Sequence, residues 1–284
     1  MKKTIKLCIT LLAALFILTS CGTKTDSNPT NDSSNQKSEP TKIKIGVVGT
    51  NEEEIWKFVK EKVAKDNIEL DIVVFTDYNQ PNDALANGDI DLNAFQHYIF
   101  LDSYNKERNS DLTVIGETFI SPLGIYSQKI QDVSEIKEGD TIAIPNDPTN
   151  GGRALLLLQS AELIKVDPAK GDTPTVNDII ENPLNLKISE LDASQTARSL
   201  PDVAAAIING GIAVDAELNP PSDAIFLEKL TSTSKPYINI IVSRAGDKDI
   251  DSYKKVVEAF RQDDTAKVIE DVTKGACIPV WKLD

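Results

Sequence analysis

The chain of 284 residues is 40% hydrophobic and 26% charged, which allows a sizeable core and excludes disorder throughout. Thirty Lys plus Arg against forty-four Asp plus Glu give a net charge of −14, which repels the phosphate backbone, so no nucleic-acid partner is expected. One His and three Cys (Cys8, Cys21 and Cys277) are too few for a Cys/His metal cluster or a disulfide framework, and no metal or cofactor is expected.

Lys2, Lys3 and Lys6 precede an apolar run over residues 7–18 that is broken only by Cys8 and Thr10. This is the pattern of a secretory signal, shorter than the roughly 20 residues a membrane span needs. The run ends in Leu18-Thr-Ser-Cys21-Gly, which resembles a bacterial lipobox. Residues 1–20 are therefore expected to be a lipoprotein signal peptide, with Cys21 becoming the lipidated first residue of the mature protein. Losing three Lys with the signal takes the charge to 27 − 44 = −17. Residues 21–41 carry polar side chains, Gly and Pro, too little apolar surface to offset ordering, and are expected to be a flexible tether. Two acyl chains on Cys21 would hold the protein on the extracytoplasmic face of the cell membrane.

In the body, residues 43–48 alternate and then run apolar, as a strand does. Thr50 or Asn51 can cap a following helix with Glu52, Glu53 and Glu54 in its first turn and Ile55, Phe58, Val59 and Val63 as its buried stripe. A second strand pattern at 70–75 makes the opening β-α-β. Further strands are expected at 113–115, 141–144, 186–188 and 237–242, and helices at 154–163, 202–208 and 252–262. This alternation without repeats indicates an α/β architecture, and two lobes suit the length.

Chemistry concentrates in two places. Six of the sixteen aromatic residues, and the single His, fall between Phe75 and Tyr104. Such a stretch can be plain core, or an aromatic slot for a small apolar group with Asn93, Gln96 and His97 as polar guides. The second is the turn-rich run Pro145-Asn-Asp-Pro-Thr-Asn-Gly-Gly-Arg153 entering a helix, which would put Arg153 in the first turn beside unpaired N–H groups, where a carboxylate could dock. The alternative is a surface Arg after an ordinary capped turn. No nucleophile elbow, zinc-protease helix or phosphate loop is present, so the chain is not expected to be an enzyme. Cys277 has no evident activating partner and is expected to be a small buried residue.

Taken together, Phe75-Thr-Asp-Tyr-Asn-Gln-Pro-Asn82, Gly88-Asp-Ile-Asp-Leu-Asn-Ala-Phe-Gln-His97, Ile144-Pro-Asn-Asp-Pro-Thr-Asn150, Arg153-Ala-Leu-Leu-Leu-Leu158 and Pro236-Tyr-Ile-Asn239 resemble the NlpA/methionine-binding lipoprotein family. The resemblance implies a two-lobed periplasmic-binding-protein fold whose cleft closes on an amino acid, with residues 42–120 and 236–284 as lobe 1 and 121–235 as lobe 2. It implies that the ligand carboxylate pairs with Arg153, that Asn209 and Asn239 meet the ligand's ammonium and carboxylate, and that its side chain lies against Tyr78, Phe95, His97 and Phe100. It further implies a monomer that hands methionine to the permease and ATPase subunits of an ABC importer. The chain departs from the family at His97-Tyr-Ile-Phe100-Leu, where a Pro-Tyr pair is usual, at Ser121, often an aromatic, and at Ile212, where a Tyr is usual. These departures bring in a methionine-containing dipeptide of the Gly-Met type, or another apolar amino acid, as the alternative ligand. An extracellular hydrolase and a purely adhesive lipoprotein are the competing functions.

Overall fold

A computed structural model of the chain describes residues 39–283. The expected signal peptide, the lipidation site Cys21 and most of the expected tether lie outside the described residues. Among the described residues, no helix is long and apolar enough to cross a membrane.

The chain opens β-α-β, with β1 (Thr41–Val48), α1 (Thr50–Val63) and β2 (Ile68–Phe75), and continues through α2 (Pro81–Asn87), β3 (Leu92–His97), α3 (Tyr98–Arg108) and β4 (Thr113–Ile120). It then crosses once into a second sheet. There β5 (Gly124–Tyr126), β6 (Thr141–Pro145), α4 (Pro148–Ser160), the small pair β7 (Lys165–Val166) and β8 (Ile179–Glu181), and β9 (Lys187–Leu191) follow. Next come α5 (Ala193–Thr196), β10 (Ala205–Ile208), α6 (Gly210–Asp215), α7 (Pro220–Asp223) and β11 (Phe226–Leu227). The chain crosses back to end in β12 (Ile238–Ser243), α8 (Asp251–Phe260), α9 (Asp263–Thr273) and β13 (Ile278–Pro279). The first sheet runs β13-β4-β12-β3-β1-β2 and the second β11-β5-β10-β6-β9. Strands β2, β1 and β3 are parallel; β12 pairs antiparallel with β3, β4 antiparallel with β12, and β13 antiparallel with β4. Two α/β lobes therefore share two crossing segments, residues 121–123 and 228–237.

Each lobe has its own core. Ile43, Ile45 and Val47 of β1 pack on Ile55, Trp56, Val59 and Val63 of α1 and on Phe260 and Ile269 of the C-terminal helices. Trp56, fully buried, takes the place in the stripe expected of Phe58: its ring lies 4.8 Å from that of Phe260, while Phe58 is only partly buried. In the second lobe Ile142 and Ile144 of β6 pack on Leu155 and Leu158 of α4.

Residues 202–208, expected to be helical, form a turn followed by β10. The run Ala205-Ala-Ile-Ile208 is buried throughout and lies between β5 and β6, so it shows no polar face. Periodicity cannot distinguish such a run from a helix. Helix α4 begins at Pro148, six residues before the expected start, because Asp147 caps it and Pro fits its first position.

Candidate functional site

Tyr78, Phe95, His97, Phe100, Arg153, Asn209 and Asn239 all line one cavity of about 50 Å³ between the two lobes. Strand β3 sends Leu92 and Ala94 into the core under its sheet, while Phe95 and His97 line the cleft. Helix α3 starts immediately after His97, whose Nδ1 accepts a hydrogen bond from the Phe100 backbone N–H. That turn folds Phe100 back over the same space. Phe95 and Phe100 meet edge to face with centroids 5.7 Å apart, and Tyr78, from the loop before α2, closes on them at 6.0 and 6.3 Å. The result is a walled aromatic slot.

His97 is uncharged. Burial, and then the positive charge of Arg153, hold it far below its ordinary range, at about 3. Because Nδ1 accepts from Phe100, the hydrogen-bond network assigns the proton to Nε2, which faces Asn150 Oδ1 at 3.4 Å. Asn150 Oδ1 also accepts from Asn209 Nδ2 at 2.7 Å, which leaves Asn209 Oδ1 buried with no hydrogen-bond partner among the described residues. Strand pairing puts Asn239 of β12 beside His97, and its side-chain amide forms no hydrogen bond within the described protein.

The α4 N-terminus is not available to an anion, contrary to the sequence expectation. The Asp147 carboxylate accepts from Thr149 N and Asn150 N, and the early start of the helix carries Arg153 into its second turn. Arg153 lies almost wholly buried and is held from one side. Its Nε donates to Glu228 Oε1 at 3.0 Å, and its Nη2 donates to Glu228 Oε2 and, at 2.9 Å, to the Ser121 carbonyl. Tyr237 stacks beneath the guanidinium at 4.2 Å. Nη1 makes no hydrogen bond within the described protein, so one edge of the fork is left without a protein partner. Glu228 also accepts from Leu123 N at 2.9 Å, joining both crossing segments to the arginine.

Of the polar guides read from the sequence, Gln96 reaches the cavity and Asn93 does not. Asn82, Asn93 and Gln96 satisfy one another in a buried amide cluster, with Gln96 Nε2 donating to Asn82 Oδ1 at 2.6 Å and to Asn93 Oδ1 at 3.0 Å, which fixes the start of α2 against β3. Four residues at the cavity or against Arg153 were not singled out as site residues from the sequence: Glu52, Asn150, Glu228 and Tyr237. Asn150 and Tyr237 lay inside quoted motifs, whereas Glu52 and Glu228 carried no local signal among forty-four acids. Cys277 is buried, which pushes its thiol up to about 12.

The lobes also touch directly. Asp215, ending α6, caps α1 of the other lobe: its Oδ1 accepts from Thr50 N, Thr50 Oγ1 and Asn51 N at 3.1, 2.6 and 3.0 Å. Asn51 Nδ2 donates to Gly211 O at 3.0 Å, and Asn79 Nδ2 donates to Asp192 Oδ2 at 3.1 Å. Gly49 has φ 86°, and a Cβ there would lie 1.9 Å from Asp215 Oδ2, so only glycine allows this approach. The cleft is therefore closed.

Two α/β lobes joined by two crossing segments and closed over a small cleft define the class of the periplasmic substrate-binding proteins. Solved structures agree: a nutrient binding protein from Burkholderia cenocepacia bound to methionine superposes with a TM-score of 0.81 at 44% identity, covering 84% of this chain and 99% of the other. The substrate binding protein of a methionine transporter from Streptococcus pneumoniae gives 0.80 at 47% identity, over 84% and 96%. The chain belongs to the NlpA lipoprotein family, whose sequence profile matches residues 43–281. Among its relatives is the D-methionine-binding lipoprotein MetQ of Escherichia coli, 45% identical over 247 residues, which are 86% of this chain and 90% of the relative.

Proposed function

We propose that this protein is the lipid-anchored, extracytoplasmic binding component of an ABC importer, that it captures methionine, and that it binds without catalysing a reaction. The observation that carries this reading is the half-satisfied Arg153 guanidinium at the end of an aromatic slot. Arg153 takes the carboxylate with its open edge, and Asn209 and Asn239 supply the amide contacts. Tyr78, Phe95, His97 and Phe100 enclose the side chain, where a thioether near ring edges gains about 0.3 to 1.5 kcal/mol per contact. Residues 42–120 with 236–284, and 121–235, act as the moving lobes, and Cys21 carries the anchor. A monomer in this closed form would dock on the permease subunits of the importer, which the ATPase subunits drive from the other side of the membrane.

Calorimetry and thermal shift of the mature domain against L- and D-amino acids and glycyl-methionine test the reading. Methionine is expected to raise the melting temperature and to bind well above the other amino acids. A preference for glycyl-methionine would favour the alternative ligand, in keeping with Ser121 in the cavity wall. No response to any of them would reject a binding role in favour of an adhesive one.

Closure itself is testable through Asp215. Its contacts with Thr50 and Asn51 span the lobes and so form only in the closed state. An N-cap is worth about 0.5 to 2 kcal/mol, so Asp215→Ala should weaken affinity roughly two- to thirty-fold although the residue is outside the cavity wall. Equal affinities by calorimetry would show that the cap does not drive closure.

A further inference from the structure

We infer that Glu52 accepts the amino group of the ligand, so that the cleft selects small molecules that carry a free, charged amine together with a carboxylate. This rests on the amino-acid-binding reading and assigns the part of the ligand that Arg153 cannot hold.

Glu52 lies in the first turn of α1 and lines the same cavity as Arg153 and Asn209. Its carboxyl group has no ion-pair partner among the described residues. Its polar neighbour is the indole of Trp56 one helical turn on, whose N–H favours the carboxylate but is outweighed by burial. Asn209 Oδ1 and Ser121 Oγ, in the same cavity wall, are also without a hydrogen-bond partner among the described residues. The charge acting on Glu52 is that of Asp215, whereas Arg153 acts on His97 and Tyr237. The cavity wall thus carries one cation, Arg153, and one acid, Glu52, the complement of a zwitterion.

Glu52 is also poised to respond to a cation. Burial first, and then the negative charge of Asp215, push Glu52 up to about 8, so near neutral pH the empty cleft holds it as the uncharged acid. The other titratable groups facing it are Tyr78, from the loop before α2, and Cys277, ahead of β13. Both are raised by burial and neutral at pH 7, so neither supplies a positive charge. An arriving ammonium would restore the carboxylate, with the proton leaving to solvent: one acid and one ammonium become an ion pair plus one released proton.

Calorimetry of methionine binding at pH 7 in buffers of different ionisation enthalpy reads that proton directly. Wild type is expected to show buffer-dependent heats corresponding to release of nearly one proton, and to reject N-acetyl-methionine. Glu52→Gln should lose the buffer dependence, bind methionine roughly ten- to a hundred-fold more weakly, and discriminate less against the acetylated probe. In the absence of ligand, a group raised from its ordinary range to about 8 costs stability as pH rises through that window. The Gln variant should therefore gain melting temperature over wild type between about pH 5 and pH 8, which also reports that it folds. Buffer-independent heats together with unchanged affinity and selectivity in Glu52→Gln would overturn the assignment of Glu52 while leaving the amino-acid site standing. Failure of wild type to bind methionine or any other amino acid would overturn both.

Discussion

Replacing Arg153 with alanine is expected to weaken methionine binding by about two to four decades. The guanidinium is 4% exposed, its charge is desolvated, and a ligand carboxylate bound to its open Nη1 would be cut off from water when the lobes close. Removing one partner of such a buried pair costs about 3 to 5 kcal/mol, and each 1.4 kcal/mol is a factor of ten in affinity. Arg153→Lys separates charge from geometry. A lysine keeps the positive charge but cannot donate to Glu228 and Ser121 while offering a free edge to the ligand, so its affinity should fall between those of wild type and alanine. Calorimetry on variants whose circular dichroism matches wild type decides the matter. Wild-type affinity in the alanine variant would remove the carboxylate from this end of the cleft.

Why the aromatic slot was legible in the sequence and its electrostatics were not is a matter of distance along the chain. Tyr78, Phe95, His97 and Phe100 come from one continuous loop–helix–strand–helix segment, so their crowding in sequence reflects their crowding in space. The contacts that orient Arg153 and close the lobes join positions far apart. Glu228 lies 75 residues from Arg153, and Asp215 lies 165 from Thr50. Nothing local distinguishes those two acids from the other forty-two in the chain. For the same reason Thr50 and Asn51 looked like caps of α1. Each can cap a helix, yet here both donate backbone N–H groups to a carboxylate of the other lobe, and Gly49 occupies the cap position. The opening β-α-β unit was readable because β1 alternates and α1 has a polar face. Strand β10 was not, because both of its faces are buried, Ala205 and Ile207 in one core cluster and Ala206 and Ile208 in another.

Glu228→Ala should produce the largest loss of stability of any single change in the cleft region. Glu228 lies behind the arginine, away from the cavity wall, and its side chain is 16% exposed. Without it the buried guanidinium keeps only the Ser121 carbonyl and the Tyr237 ring, and Leu123 N loses its acceptor. An uncompensated buried charge costs about 3 to 5 kcal/mol, which for a domain of this size is roughly a 6 to 20 °C fall in melting temperature. The double variant Arg153→Met/Glu228→Leu removes both charges together and should recover most of that loss, because a buried ion pair replaced by apolar groups of similar volume is often no less stable. It should nevertheless fail to bind methionine. If the double variant melts no higher than Glu228→Ala, the instability comes from the broken link between the crossing segments rather than from the stranded charge. If it is stable but does not bind, the pair Arg153–Glu228 serves recognition and not folding, and the fold carries it only to hold one guanidinium edge open in a closed cleft.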